Sequence, residues 1–178
     1  TMALVLRAAD FVDTFDTADN VGSTFGGLSA SVSGGQLTLT RTAASVDMGL
    51  DWRPASTGLF SLADTPNFRI DAASAVTGGY YTINALFFNS SGDFLSETAV
   101  QADTNATGVF TYDLASLAGG ASQWLARVRV NPFDQNGAGF IFNEFAATTP
   151  VPEPSTYAAF FGAVTLAGAF VARRRQGK

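Results

Sequence analysis

The side chains able to do chemistry in this sequence are narrow in kind. Its 178 residues include no histidine and no cysteine. That removes the Ser-His-Asp triad, the imidazole base that works near neutral pH, the thiolate nucleophile and the His- or Cys-ligated metal. What is left is carboxylate chemistry, guanidinium chemistry and aromatic stacking. Twelve aspartates precede residue 151, with only two glutamates, Glu97 and Glu144. Glycoside hydrolysis needs two carboxyl groups facing each other across a bond. No spacing singles out such a pair, so the chain reads as a non-enzyme. Sugars are held by aromatic faces together with a few convergent polar groups. The glycan-binding candidates are Trp52, Tyr80, Tyr112 and Trp124, with Arg127 and Arg129 as donors. The competing reading buries the tryptophans in a core and lays the arginines on a solvated face, since β-sandwiches routinely enclose such aromatics.

The elements that must carry these residues are strands. From Asp10 onward short alternating runs are punctuated by glycine, the period-2 signature of β structure. Phe11, Asp13 and Phe15 share one face of a first strand. Leu37 and Leu39 alternate within 36–41, and Val46, Met48, Leu50 and Trp52 alternate before Pro54. Residues 55–66 look irregular. Tyr80 to Phe88 is the most apolar run before residue 151 and predicts an interior strand. Asn89-Ser-Ser-Gly-Asp93 is turn chemistry, with 94–100 as the hairpin partner. Asp113 to Ala118 predicts one helical turn, capped by Asp113 and stopped by Gly119-Gly120. Trp124, Ala126, Val128 and Val130 fall on the face opposite Leu125, Arg127 and Arg129, and 140–147 is the last strand. Eight to ten short strands with turns every 8–12 residues predict an all-β fold, an antiparallel two-sheet sandwich of jelly-roll type.

Charge divides the chain. Residues 1–150 hold fourteen carboxylates against six arginines and no lysine, a net of −8. A body this acidic will not hold nucleic acid by neutralising phosphates. The last 28 residues reverse the sign. Val151-Pro-Glu-Pro-Ser-Thr156 has two prolines that forbid helix and sheet pairing. Tyr157 to Ala172 is a 16-residue run without a charge. As a helix it spans roughly 24 Å at 1.5 Å per residue, a little short of the ~30 Å hydrocarbon core. Ala159, Ala163 and Ala167 recur every fourth residue, a spacing that lets another helix approach closely. Arg173, Arg174 and Arg175 follow directly and would hold that end in the cytoplasm. A short C-terminal hydrophobic helix, inserted in the inner membrane, is the expectation.

Pro152, Glu153, Pro154, Ser155 and Thr156, an apolar run and a terminal arginine cluster, in that order, resemble the PEP-CTERM protein-sorting signal. Tyr157 fits the aromatic that often follows in that family. The resemblance implies a bacterium that makes extracellular polysaccharide and an exported protein. It implies transient anchoring in the membrane and processing near the motif by an exosortase. Its bearers typically reside in the cell envelope or the extracellular biofilm matrix. At the other end, the apolar Met2-Ala-Leu-Val-Leu6 before Arg7-Ala-Ala9 reads either as the end of a signal peptide or as a first strand.

The body also resembles, more loosely, the jelly rolls of carbohydrate-binding modules. The residues that carry this are Phe11 to Asp16, Phe68 to Asp71 followed by 80–88, and Trp124 to Val130 before 140–145. Such modules often hold a structural Ca²⁺ where first and last strands meet, and Asp13, Asp16, Asn143 and Glu144 could supply its oxygens. No other cofactor is implied. The layout is then residues 1–9 as signal remnant or strand and 10–147 as the sandwich. Residues 148–156 form a linker with the motif, and 157–178 the hydrophobic helix and arginine tail. The functional expectation is an exported structural protein of the surface or exopolysaccharide matrix, with glycan binding as the alternative and a glycan-active enzyme behind both. Pro152→Ala combined with Pro154→Ala is expected to leave an unprocessed, membrane-retained form in cells that make an exosortase. Blotting membrane and medium fractions checks this, and unchanged processing contradicts it.

Overall fold

A computed structural model describes residues 9–44, 48–55, 58–131 and 136–149. Residues 1–8, Val46, the sorting motif, the hydrophobic run and the arginine cluster lie outside the described residues. Among the described residues no helix is long and apolar enough to cross a membrane.

Among the described residues twelve strands form two antiparallel sheets. They are β1 (Phe11–Asp13), β2 (Val21–Phe25), β3 (Leu28–Ser33), β4 (Gln36–Arg41), β5 (Gly49–Trp52) and β6 (Phe60–Ser61). Then come β7 (Asn67–Val76), β8 (Tyr80–Phe88), β9 (Phe94–Thr104), β10 (Gly108–Asp113), β11 (Gln123–Asn131) and β12 (Gly139–Thr148). The first sheet runs β10-β7-β12-β4-β3, and the second β2-β5-β11-β8-β9. This is the two-sheet architecture that the alternation predicts. Two short strands account for the larger strand count. β1 pairs with 145–147 of β12 beyond the reach of β4, and β6 pairs with 123–124 of β11 beyond the reach of β5. Thus part of the segment expected to be irregular is a two-residue strand. The partner of β8 also runs on to Thr104, longer than the expected 94–100. The helical turn is a single 3-10 turn, Ala115–Leu117, with the Asp113 carboxylate accepting from the Ala115 N–H at 3.0 Å.

Local chemistry explains the crossings. Gly26 and Gly27 adopt φ of 67° and 81°, a region that L side chains rarely enter, and carry the chain from β2 in one sheet to β3 in the other. At the far end Gly79 and Gly139 lie back to back, where a Cβ on Gly79 would meet the Gly139 carbonyl oxygen at 2.1 Å.

The core is aromatic. The Trp52 ring lies 4.7 Å from Phe60, 5.4 Å from Phe68, 5.7 Å from Phe145 and 5.8 Å from Phe11. Trp124 lies 4.7 Å from Phe60 and 5.7 Å from Phe68. A buried indole N–H must find an acceptor. Trp124 donates to the Thr65 carbonyl at 2.9 Å, and Trp52 donates to Asp13 Oδ2 at 2.9 Å. The other oxygen, Asp13 Oδ1, accepts the Phe15 N–H at 3.0 Å and so holds the turn in which Phe15 takes a φ of 56°. Asp13 is only 6% exposed, a carboxylate kept inside by two donors. Asp13→Ala strands both donors and is expected to cost about 2–4 kcal/mol, with Asp13→Asn between it and the native chain. Chemical denaturation measures this, and a loss below about 1 kcal/mol for Asp13→Ala contradicts it.

Candidate functional site: the outer face of the second sheet

Side chains on β11 alternate between the core and the outside. Trp124, Ala126, Val128 and Val130 point inward and are fully enclosed, while Arg127, Arg129 and Asn131 stand on the outer face. Register sets their neighbours. Arg127 lies opposite Asp51 of β5 on one side and Asn84 of β8 on the other. Arg129 lies opposite Thr82, and Asn131 opposite Tyr80. Beyond β8, Leu86 lies opposite Glu97 of β9. One strip of polar side chains therefore crosses four strands.

The strip is pre-ordered by charge-assisted bonds. Arg127 grips Asp51 with two prongs, Nε to Oδ1 at 2.7 Å and Nη2 to Oδ2 at 3.1 Å. Its guanidinium carbon sits 4.8 Å over the Phe25 ring, a cation–π contact. Glu97 accepts from Arg129 at 2.9 Å and from Arg127 at 3.5 Å, and also from the Asn84 amide. Asp51, Glu97, Arg127 and Arg129 keep 20–26% of their side-chain surface exposed, so the pairs are half-buried yet reachable. A second cluster adjoins. Thr82 Oγ1 donates to Asp103 Oδ1 at 2.9 Å and accepts from Asp103 N at 3.1 Å and Asn131 Nδ2 at 3.3 Å. The Asn84 and Asn131 amide oxygens accept no hydrogen bond from the described residues. At the end of the strip Tyr80 is 41% exposed and offers an aromatic ring. Past the β5 side, Asp19, Asn20, Ser23, Arg53 and Gly58 border an open cleft of about 400 Å³.

The glycan candidates therefore separate. Tyr80, Arg127 and Arg129 share this face. Trp52 and Trp124 do not, because both rings are wholly enclosed in the core and present no face to a sugar. Tyr112 is half-buried on β10, its ring 6.4 Å from Phe68 and its hydroxyl 3.5 Å from Gln101 Oε1. The side chains that complete the strip are Asp51, Thr82, Asn84, Glu97, Asp103 and Asn131. Thr82 and Asn84 stand opposite Tyr81 and Ile83 in the alternation of β8, which was the available signal. The cation quartet does not assemble. Asp13 is spent on Trp52 and Phe15, and Asp16 is exposed and bonded to Thr14. Glu144 pairs with Arg69 on the outer face of the first sheet, where Asn143 bonds Asp71 and Gln36. Among the described residues no three acidic, His or Cys side chains gather to hold a metal ion. These four residues do not fit one Ca²⁺ site, since the Asp13 carboxylate faces the core while Glu144 stands on the outer face of the first sheet.

The chain carries a PEP-CTERM protein-sorting motif, matched over residues 150–175. No curated protein matches it. Among solved structures it is similar to a family 29 carbohydrate-binding module, with a TM-score of 0.53, 14% identity, and 85% of this chain and 98% of that one covered. It is also similar to a family 29 variant made to probe ligand recognition, with a TM-score of 0.53, 14% identity, and 88% and 99% covered. A further variant, complexed with cellulohexaose, gives a TM-score of 0.50 at 14% identity, with 80% and 92% covered. At this identity the likeness shows the fold. The sorting motif marks an exported protein, transiently anchored in the membrane before an exosortase processes it.

Burial also sets the acid–base behaviour of two tyrosines. Tyr81 is wholly enclosed, and its hydroxyl donates to the Ala106 carbonyl at 3.1 Å. Burial pushes its pKa from 10.0 up to about 12. Burial, then the neighbouring Tyr81, raises Tyr112 further. The folded protein holds these protons where the unfolded chain releases them. The contribution of Tyr81 is therefore intact below pH 10 and is lost as pH rises through 12. Melting temperature is expected to fall over that window, and Tyr81→Phe to flatten the fall. Parallel curves for the two proteins contradict it.

Proposed function

We propose that this protein is an exported, non-catalytic glycan-binding protein that holds polysaccharide on the outer face of its second sheet. Its sorting tail would deliver it to the cell envelope or the polysaccharide matrix. The observation that carries the reading is the strip Asp51–Arg127–Glu97–Arg129, laid across four strands beside Tyr80. Bidentate carboxylates and guanidiniums suit the paired hydroxyls of a sugar ring, and their mutual pairing fixes them before a ligand arrives. The likeness to carbohydrate-binding modules supports the same reading.

A second reading has its own support. The charges on the strip already satisfy one another, as the surface of a purely structural matrix protein would have them do. Binding separates the two readings. On a polysaccharide array the folded body is expected to bind at micromolar strength. Arg127→Ala is expected to weaken that by roughly 10- to 100-fold, the scale of one or two charged hydrogen bonds. Circular dichroism should show the variant folded. Failure to bind any polysaccharide favours the structural role.

A further inference from the structure

Both described termini leave the sandwich at one end. The Thr149 N–H donates to Asp10 Oδ1 at 2.7 Å, and Thr148 lies opposite Asn67, itself opposite Asp113. The 114–122 segment closes that end, with Leu114 N bonded to the Pro66 carbonyl at 2.9 Å and Ser122 N to the Phe88 carbonyl at 3.0 Å. The β8–β9 hairpin tip lies there too, since Gln123 pairs with Phe88, which pairs with Phe94.

This end presents apolar side chains. Phe94 is 56% exposed, Leu95 49% and Leu117 40%. The pairing of β9 shifts register here, from Ser96 opposite Phe87 to Phe94 opposite Phe88, so Leu95 is left without a partner. A bulge of this kind re-aims side chains, and here two successive apolar residues are exposed at the tip. The tip is stiff. Asn89 Oδ1 accepts the N–H groups of Ser91 and Asp93, each at 2.9 Å, and its amide bonds the Asp93 carboxylate at 2.9 Å. Only seven residues, 150–156, separate Thr149 from the apolar run that begins at Tyr157. Fully extended they reach at most about 25 Å.

We propose that this end is a bilayer-contacting surface, with Phe94, Leu95 and Leu117 entering the headgroup region while the tail is embedded. The inference rests on the reading of the tail as membrane-inserted. A tether that short holds this end nearer the lipid than the opposite end of the sandwich. Exposed apolar residues at an interface gain by leaving water. Asp10, Asp64, Asp93 and Asp113 belong to the same end, so the contact favours zwitterionic over anionic lipid.

The chain has no cysteine, so single labels can be placed at will. An environment-sensitive fluorophore would be put on Ser91→Cys at the tip, on Thr107→Cys at the opposite end and on Ala163→Cys in the tail of the full chain. Each is reconstituted in phosphatidylcholine vesicles carrying shallow lipid-bound quenchers. The expected result is several-fold quenching at positions 91 and 163 and none at 107. The signal at 91 should weaken in phosphatidylglycerol vesicles and vanish when Phe94→Ser and Leu95→Ser are added. Quenching at 163 with 91 no different from 107 overturns the proposal and leaves the tail reading standing. No quenching at 163 overturns both.

Discussion

The structure depends on two indole rings whose N–H groups are paired inside an apolar layer. Trp52 and Trp124 project from neighbouring strands of one sheet into the gap between the sheets, and Phe60 packs against both. Removing such a ring costs roughly 3–5 kcal/mol, a large part of the about 5–15 kcal/mol that holds a domain together. An unpaired indole N–H would forfeit much of that gain. Asp13 and the Thr65 carbonyl prevent the loss, and in doing so each fixes a segment that is not itself a long strand. The N-terminal strand is tied to β5 by a side chain, and the 61–66 loop is tied to β11 by its backbone.

This core leaves the outer faces free to be polar. β4 and the first half of β7 spend every second residue on packing and the next on the surface. On β11 the division is sharp from Ala126 onward, with Ala126, Val128 and Val130 inside and two arginines and an asparagine outside. A solvent-exposed ion pair contributes little to stability, a fraction of 1 kcal/mol in most measurements. The half-buried network of Asp51, Arg127, Glu97 and Arg129 is therefore better understood as ordering side chains than as supporting the fold. The same body is carried by a tail whose sorting motif begins one residue past the last described one. Body and tail thus divide the work between a surface and an address.

Much of the body could be read from alternation. Leu37 and Leu39, the inward face of 124–130 and the turn at 89–93 follow from period-2 patterning and turn chemistry alone. Register could not be read. Nothing in the local sequence says that Arg127 faces Asp51 and Asn84, because that depends on how three strands distant in sequence align. The same gap explains the tryptophans. A tryptophan on an alternating strand suits either a core or a platform, and the covering residues Phe11, Phe60, Phe68 and Phe145 come from four different elements. Asp13 misled for a related reason. A carboxylate on an apolar face looks like a ligand until its indole partner, 39 residues away, is known. The tail is the reverse case, since its meaning lies in contiguous residues and needs no partner.

The proposed polysaccharide site is the outer face of the second sheet. Backbone amide chemical shifts, followed by NMR as soluble polysaccharide fragments are added to the folded body, test it most directly. Shifts concentrated at Tyr80, Thr82, Asn84, Glu97, Arg127 and Arg129 are expected. Shifts confined to the outer face of the first sheet, around Arg69, Asp71 and Glu144, or to the cleft at Arg53, would contradict it.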